Sequence, residues 1–106
     1  MTSNRGEMTV AQAIAGRLAT LGVKHVFGYP GGETLDLLEA FRAAAIKFVL
    51  THHETAAAFA AAATGELTGV PGVCMATLGP GATNLVSGVA AALLERAPLL
   101  AFTAQL

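Results

Sequence analysis

Apolar residues recur along the chain at two different spacings, which predict helices that alternate with short strands. The first helical spacing begins after Thr9, which forms a capping-box pattern with Gln12, and it ends at Gly22. Three further helices are predicted, at about 33–44, 51–67 and 82–95. Short apolar runs predict four strands, at 25–27, 46–50, 73–77 and 99–103.

This alternation is typical of a parallel sheet with right-handed crossover helices. We therefore predict an α/β fold, a Rossmann-like three-layer arrangement of about four strands and four helices. The near-continuous apolar run at 46–50 predicts a strand buried on both faces. Residues 1–8 are expected to be a disordered lead-in and 9–106 one domain. That domain is expected to be incomplete at its C-terminus, because a strand at 99–103 leaves an open sheet edge.

The composition is unusually poor in charge, and this narrows the class of protein. Charged residues make up 12% of the chain and apolar residues 54%, whereas soluble domains carry about 25% charged residues. The chain therefore belongs either in a larger assembly or in a membrane. The longest apolar stretches, 56–63 and 85–94, fall short of the roughly 18 residues that a spanning helix needs. With no secretory signal at the N-terminus, a cytoplasmic location is expected.

Charge, cysteine and histidine content exclude several kinds of site. The net charge is -1 and the basic residues are scattered, so no nucleic-acid surface is expected. The single Cys74 lies in an apolar run and is interpreted as a small buried side chain. His25, His52 and His53 show no zinc-ligand spacing, so packing or surface roles are expected and no metal site.

Candidate chemistry lies where predicted strands end, because ligands of open parallel sheets bind beyond the carboxyl ends of the strands. Three such segments are 28–32, 51–54 and 78–84. Glu54 is the only carboxylate that follows a strand predicted to be buried, and it is suited to hold or exchange a proton with a ligand nitrogen. Thr51 and Glu54 also match a capping box, which gives the same residue a purely structural interpretation.

The segment from Gly79 to Asn84 follows a strand and opens a helix. Its backbone N–H groups are suited to an anion or a polar ring, and an ordinary tight turn is the alternative. It departs from the dinucleotide fingerprint, because Asn84 stands where the third glycine belongs and no acid follows about 20 residues later. A stand-alone nucleotide-binding module is therefore disfavoured.

Four runs of residues together resemble one family. They are Val26–Gly32 (VFGYPGG), His53–Glu54, Pro71–Cys74 (PGVC) and Ala76–Asn84 (ATLGPGATN). In order and spacing they resemble the pyrimidine-binding domain of the acetolactate synthase family, whose members depend on thiamine diphosphate. The resemblance covers nearly the whole chain from Thr9.

The resemblance implies a role for Glu54 and for two loops. The family's glutamate hydrogen-bonds a ring nitrogen of the cofactor's aminopyrimidine, and Glu54 is the matching position. The loop of Pro30, Gly31 and Gly32 is expected beside the reacting centre. Pro80 and Asn84 are expected to line the pyrimidine side. The substrates implied are 2-keto acids such as pyruvate, which are decarboxylated and joined.

The resemblance also implies what this chain needs from elsewhere. The family's site lies between subunits of a homo-oligomer, a dimer or a tetramer. The diphosphate and Mg²⁺ are held by a C-terminal domain with a Gly-Asp-Gly … Asn-Asn motif, which this sequence does not contain. The isolated chain is thus expected to be inactive. Some relatives bind FAD, and the resemblance leaves open whether the parent enzyme does so.

One run departs from the family pattern. Ala61–Glu66 (AAATGE) stands where many relatives carry Ala-Asp-Gly-Tyr-Ala-Arg, which leaves the subfamily open. A non-catalytic product that only associates with a partner is the alternative function.

Overall fold

The computed structural model describes residues 7–105, which form helices and strands in strict alternation until the third strand ends. The strands are β1 (His25–Gly28), β2 (Lys47–Leu50), β3 (Gly72–Met75) and β4 (Leu99–Phe102). The helices are α1 (Val10–Thr20), α2 (Leu35–Ala43), α3 (Glu54–Thr68), the one-turn α4 (Pro80–Thr83) and α5 (Val86–Glu95). A 3₁₀ turn, Gly32–Thr34, precedes α2. Most of the predicted lead-in lies outside the described residues.

The four strands form one parallel sheet in the order β2-β1-β3-β4. Val26 in β1 is level with Phe48 in β2 and with Val73 in β3, and Val73 is level with Leu100 in β4. Helices cover both faces of the sheet. This confirms the predicted α/β three-layer architecture.

Each face of the sheet has its own apolar core. On one face α1 and α2 pack over β1 and β3, around the buried Phe41, Val26 and Met75. On the other face α3 packs with Leu85, at the junction of α4 and α5, over side chains that include Cys74. Because the α3 side chains at this contact are alanines, the helix lies very close to the sheet.

The start and end of α1 form as the sequence predicts. The Thr9 hydroxyl accepts a hydrogen bond from the Gln12 N–H at 3.1 Å, and the Gln12 side chain accepts one from the Thr9 N–H at 2.9 Å. These bonds satisfy two of the N–H groups that a helix start leaves without partners. Gly22 follows the helix with a φ of 96°, a left-handed value that favours glycine.

Two sequence-based expectations about the elements are wrong. β2 is not buried on both faces: it forms an edge of the sheet, and Leu50 is 60% exposed. The strand with every residue buried is β3, which lies inside the sheet. The helix predicted over 82–95 is divided, because the chain turns at Asn84 and Leu85 between α4 and α5.

The structure also bears on membrane insertion and on Cys74. Within residues 7–105 every helix is too short or too polar to cross a membrane. Cys74 is fully buried in β3, as predicted. Its burial raises the pKa of the thiol to about 11, because the charged thiolate loses its hydration.

Candidate functional site

The carboxyl ends of β1 and β3 lie side by side in the middle of the sheet, and the chain leaves them toward opposite faces. After β1 it continues into α2, on the face of the first core, and after β3 it continues through α4 to α5, on the other face. In doubly wound sheets a crevice opens at such a switch in strand order, and ligands bind there. The segments at 29–34, 51–53 and 76–79 all surround this point.

The loops after β1 and β3 approach each other closely at Gly31. A Cβ atom on Gly31 would lie 2.0 Å from Cγ2 of Thr77, so only glycine fits without a shift. The buried Thr34 fixes this loop: its hydroxyl accepts from the Gly31 N–H at 3.2 Å and donates to the Gly31 carbonyl at 2.9 Å. The walls of the crevice are therefore set by backbone geometry.

Glu54 is the first residue of α3 and does not cap it. The N-cap residue is His53, whose Nδ1 accepts from the Thr55 N–H at 3.0 Å. The Thr51 hydroxyl donates to the His53 carbonyl at 2.9 Å and is engaged there. The capping-box interpretation of Thr51 and Glu54 is therefore wrong, and the Glu54 carboxylate is left for other contacts.

The Glu54 carboxylate instead contacts the loop after β3. Its Oε1 accepts a hydrogen bond from Nδ2 of Asn84 at 3.1 Å, in a half-buried position. Beside it, the Thr55 hydroxyl donates to the Asn84 carbonyl at 2.8 Å. The structure thus joins two predicted site residues that are separated by 30 positions in the sequence.

Gly81 lies against the other oxygen of the carboxylate. A Cβ atom on Gly81 would lie 3.4 Å from Oε2 of Glu54 and 2.7 Å from the Thr77 hydroxyl oxygen. Since Thr77 also borders Gly31, these residues connect Glu54 to the loop after β1. Glu54 and Gly31 are therefore linked through Gly81 and Thr77.

The remaining predicted residues lie toward the rim. Pro80 is exposed and opens α4, and its carbonyl accepts from the Asn84 N–H at 2.9 Å. Pro30 is half-buried, and Gly32 is exposed with open space around its α-carbon.

Sequence reasoning missed three threonines. Thr34 holds Gly31, Thr55 holds Asn84, and Thr77 separates the two glycine loops. A hydroxyl beside a candidate carboxylate, as at Thr55, was the only signal available. The partners of all three lie in other segments or turns that a spacing pattern does not connect.

Metal ligands do not gather in the described part of the chain. Among residues 7–105, no three His, Cys, Asp or Glu side chains lie close enough together to hold a metal ion. What the crevice offers is one carboxylate with an open oxygen, between walls that glycines keep narrow. Such an arrangement suits a flat ring with a nitrogen that binds or shares a proton.

Comparison with known proteins gives this geometry a family. Residues 8–106 match the family described as thiamine pyrophosphate enzyme, N-terminal TPP binding domain. The acetolactate synthase large subunit of Pyropia yezoensis is 48% identical over 93% of this chain and 18% of its own length. The acetolactate synthase isozyme 2 large subunit of Escherichia coli (strain K12) is 45% identical over 92% of this chain and 18% of its own length.

A plant protein gives the same result. The chloroplastic acetolactate synthase of Arabidopsis thaliana is 47% identical over 90% of this chain, which spans 14% of that protein. The chain therefore spans less than a fifth of the relatives it matches. Because the match extends from residue 8 to residue 106, the chain belongs to the thiamine pyrophosphate enzymes and carries the N-terminal domain found in acetolactate synthase large subunits.

Proposed function

We propose that this chain forms the pyrimidine half of a thiamine diphosphate site and that Glu54 is its catalytic residue. The observation that carries the proposal is the position of Glu54. Its carboxylate lies at the strand-order switch of the sheet, free of any capping role, with Oε2 facing Gly81. A carboxylate placed there is suited to hold or exchange a proton with a ring nitrogen.

The residues around Glu54 fit a planar aminopyrimidine. Gly31 and Gly81 let the loops pack tightly around Thr77 beside Glu54, because a Cβ atom on them would lie 2.0 Å and 2.7 Å from Thr77 side-chain atoms. On this proposal Pro30, Gly31 and Gly32 lie beside the reacting centre, and Pro80 with Asn84 bounds the pyrimidine side. When bound, thiamine diphosphate supplies the electron sink for decarboxylating and joining 2-keto acids such as pyruvate. The chain's own contribution is to bind and orient the ring.

The parent enzyme is proposed to be a cytoplasmic homo-oligomer, a dimer or tetramer of acetolactate synthase type. The names of the relatives, which are acetolactate synthases, support the type of enzyme. The location and the oligomeric state are carried over from the sequence-based expectation. The diphosphate and Mg²⁺ would be held by a C-terminal domain outside these 106 residues. FAD, in a parent that binds it, would also be held outside them. We therefore expect no acetolactate from pyruvate when the purified 106-residue chain is assayed with thiamine diphosphate and Mg²⁺.

A calorimetric titration with thiamine diphosphate and Mg²⁺ tests the binding role. The wild-type chain is compared with Glu54→Gln and with Glu66→Gln, which changes an exposed acid of the same helix. Binding that weakens about tenfold in Glu54→Gln alone supports the proposal, as expected for the loss of a charged hydrogen bond. Equal binding by all three chains would contradict the role of Glu54.

A second candidate function is that of an association module without catalysis. The observation in its favour is an apolar groove of about 280 Å³ between α5 and β4, lined by side chains that include Val86, Val89 and Leu93. Sedimentation velocity of the purified chain tests it. Self-association that persists when Glu54 is changed supports this function, and a stable monomer at all concentrations counts against it.

A further inference from the structure

The two oxygens of the Glu54 carboxylate have different surroundings. Oε1 accepts the hydrogen bond from Asn84 Nδ2. Oε2 has no hydrogen-bond partner within residues 7–105. In the same part of the chain, every fully buried side-chain nitrogen or oxygen has a partner. Oε2 is therefore not fully buried, and it is the carboxylate oxygen left for a contact with a ligand.

The backbone of Asn84 is held on both sides, which places its side-chain amide beside Glu54. Its N–H donates to the Pro80 carbonyl at 2.9 Å, and its carbonyl accepts from the Thr55 hydroxyl at 2.8 Å. Thr55 directly follows Glu54 at the start of α3. The same helical turn therefore contacts the backbone and the side chain of Asn84. The amide cannot leave Oε1 unless it breaks a second hydrogen bond or rotates its own side chain.

A fixed amide donor makes the two carboxylate oxygens chemically unequal. An N–H group donates and cannot accept, so a proton on Oε1 would face the hydrogens of the Asn84 amide. A proton on Oε2 meets no such donor. Hydrogen bonds from amides to a carboxylate are also stronger than neutral ones, which keeps Oε1 engaged.

We propose that Asn84 is a positioning residue: it holds Oε1 of Glu54 so that the carboxylate meets the ligand's ring nitrogen through Oε2. This inference rests on the proposed function only in taking Glu54 as the ligand contact. It assigns Asn84 an action through Glu54 and not on the ligand itself. Gly81, whose α-carbon borders Oε2, keeps the space for that contact open.

NMR spectroscopy of the ligand-free 106-residue chain tests the contact between the two side chains. The Asn84 amide signals are identified by their loss in Asn84→Ala, and the Glu54 carboxyl signal by its loss in Glu54→Gln. We expect each signal to shift when the other residue is substituted. Ser87→Ala, which changes an exposed polar side chain of α5, serves as the control and should move neither. A Glu54 carboxyl signal that stays in place in Asn84→Ala overturns the proposal.

The variant Asn84→Asp distinguishes the effect of the Asn84 amide donor from the effect of the size of the side chain. It keeps the size of the side chain but places a second carboxylate beside Oε1, which repels the first. With thiamine diphosphate and Mg²⁺ as the probe, we expect Asn84→Asp to bind about tenfold more weakly than wild type, or worse. Wild-type affinity in Asn84→Asp would mean that packing alone matters and would overturn the proposal.

The NMR test and the binding test distinguish a failure of the proposed function from a failure of the positioning role. If the probe binds equally to the wild-type chain and to Glu54→Gln while the ligand-free signals are coupled, the proposed function fails and the Asn84–Glu54 contact stands. If the probe binds and its binding depends on Glu54 but not on Asn84, the proposed function stands and the positioning role fails. Circular dichroism of every variant checks that each is folded.

Discussion

Cys74 shows how burial alone changes the chemistry of a side chain. Because the pKa of its thiol rises from an ordinary value of 9.0 to about 11 in the folded chain, the unfolded chain loses this proton at lower pH than the folded one. The stabilisation is therefore complete below pH 9 and is lost as the pH rises toward 11. We expect the free energy of unfolding, measured by urea denaturation, to fall by on the order of 1–3 kcal/mol across this window because of Cys74.

The variant Cys74→Ala isolates that effect. Cys74 is the one ionisable group that differs between the two chains, so the rest of the pH dependence cancels in the difference. Cys74→Ala is expected to be less stable at pH 7, since it leaves a small cavity, but to show a shallower decline between pH 9 and 11. Parallel declines in the two chains would show that the thiol does not titrate as described.

Thr34 is the buried polar residue that fixes the loop after β1, and its hydroxyl is predicted to matter for stability. Thr34→Val keeps the shape but leaves the Gly31 N–H without its partner. We expect a loss of about 1–3 kcal/mol in urea denaturation, the cost of a donor left without its partner in a partly buried loop. In the control, Thr64→Val, the hydroxyl only donates to the Ala60 carbonyl one helical turn earlier, so a change within about 0.5 kcal/mol is expected. Equal losses in the two variants would contradict the role of Thr34.

The residue types of the site could be predicted from the sequence, but not their contacts. Glu54 was found as a carboxylate after a strand, and Asn84 within a loop that opens a helix. The hydrogen bond between them depends on how α3 and the loop after β3 meet in space, which no local spacing encodes. The capping box failed for a related reason: His53 has a side-chain acceptor two residues closer to the helix than Thr51, and it took the N-cap position.

The helices α3 and α5 pack closely against each other at Gly88. A Cβ atom on Gly88 would lie 2.3 Å from Cβ of Ala58, so α3 and α5 would have to move apart. We expect Gly88→Ala to lower the free energy of unfolding by about 1–3 kcal/mol, as overpacking does. Because α3 begins at Glu54, the same variant is also expected to disturb the NMR signals of the site.

Gly16 provides the matched control for that substitution. It lies in the exposed middle of α1 with no atom within 4 Å of an added Cβ. Gly16→Ala is expected to stabilise the chain by roughly 0.5–1 kcal/mol, because alanine has the higher helix propensity. If both alanines stabilise the chain in thermal unfolding, α3 and α5 are less tightly packed than the distances indicate.

The order of the helices and strands along the chain could be predicted from the sequence, but the position of each strand in the sheet could not. Apolar runs identified all four strands to within a few residues. Whether a strand is central depends on the direction of each crossover: the chain passes from β2 across to the far side of β1, and β2 stays at the edge. An apolar sequence such as that of β2 therefore does not by itself distinguish an edge strand from a central one.

The whole molecule has two outer faces of different character. The layer of α3 and α5 carries three charged residues, Glu54, Glu66 and Glu95, all of them acidic. The opposite layer of α1 and α2 carries both signs of charge, among them the exposed ion pair of Glu39 and Arg42. On the α3 and α5 side, α5 leaves Leu93 and Leu94 79% and 85% exposed. Large exposed apolar patches of this kind mark surfaces that other molecules cover.

We expect the isolated chain to self-associate through the exposed apolar face of α5. Burial of one leucine stabilises a contact by about 1.5–3 kcal/mol, so Leu93→Lys is expected to weaken self-association about tenfold or more in sedimentation velocity. Val10→Lys is the control, because Val10 is 77% exposed but lies at the start of α1 in the opposite layer. If only Leu93→Lys shifts the chain toward monomer, the contact involves α5. If both variants act alike, association is a general effect of low charge and not a property of this face.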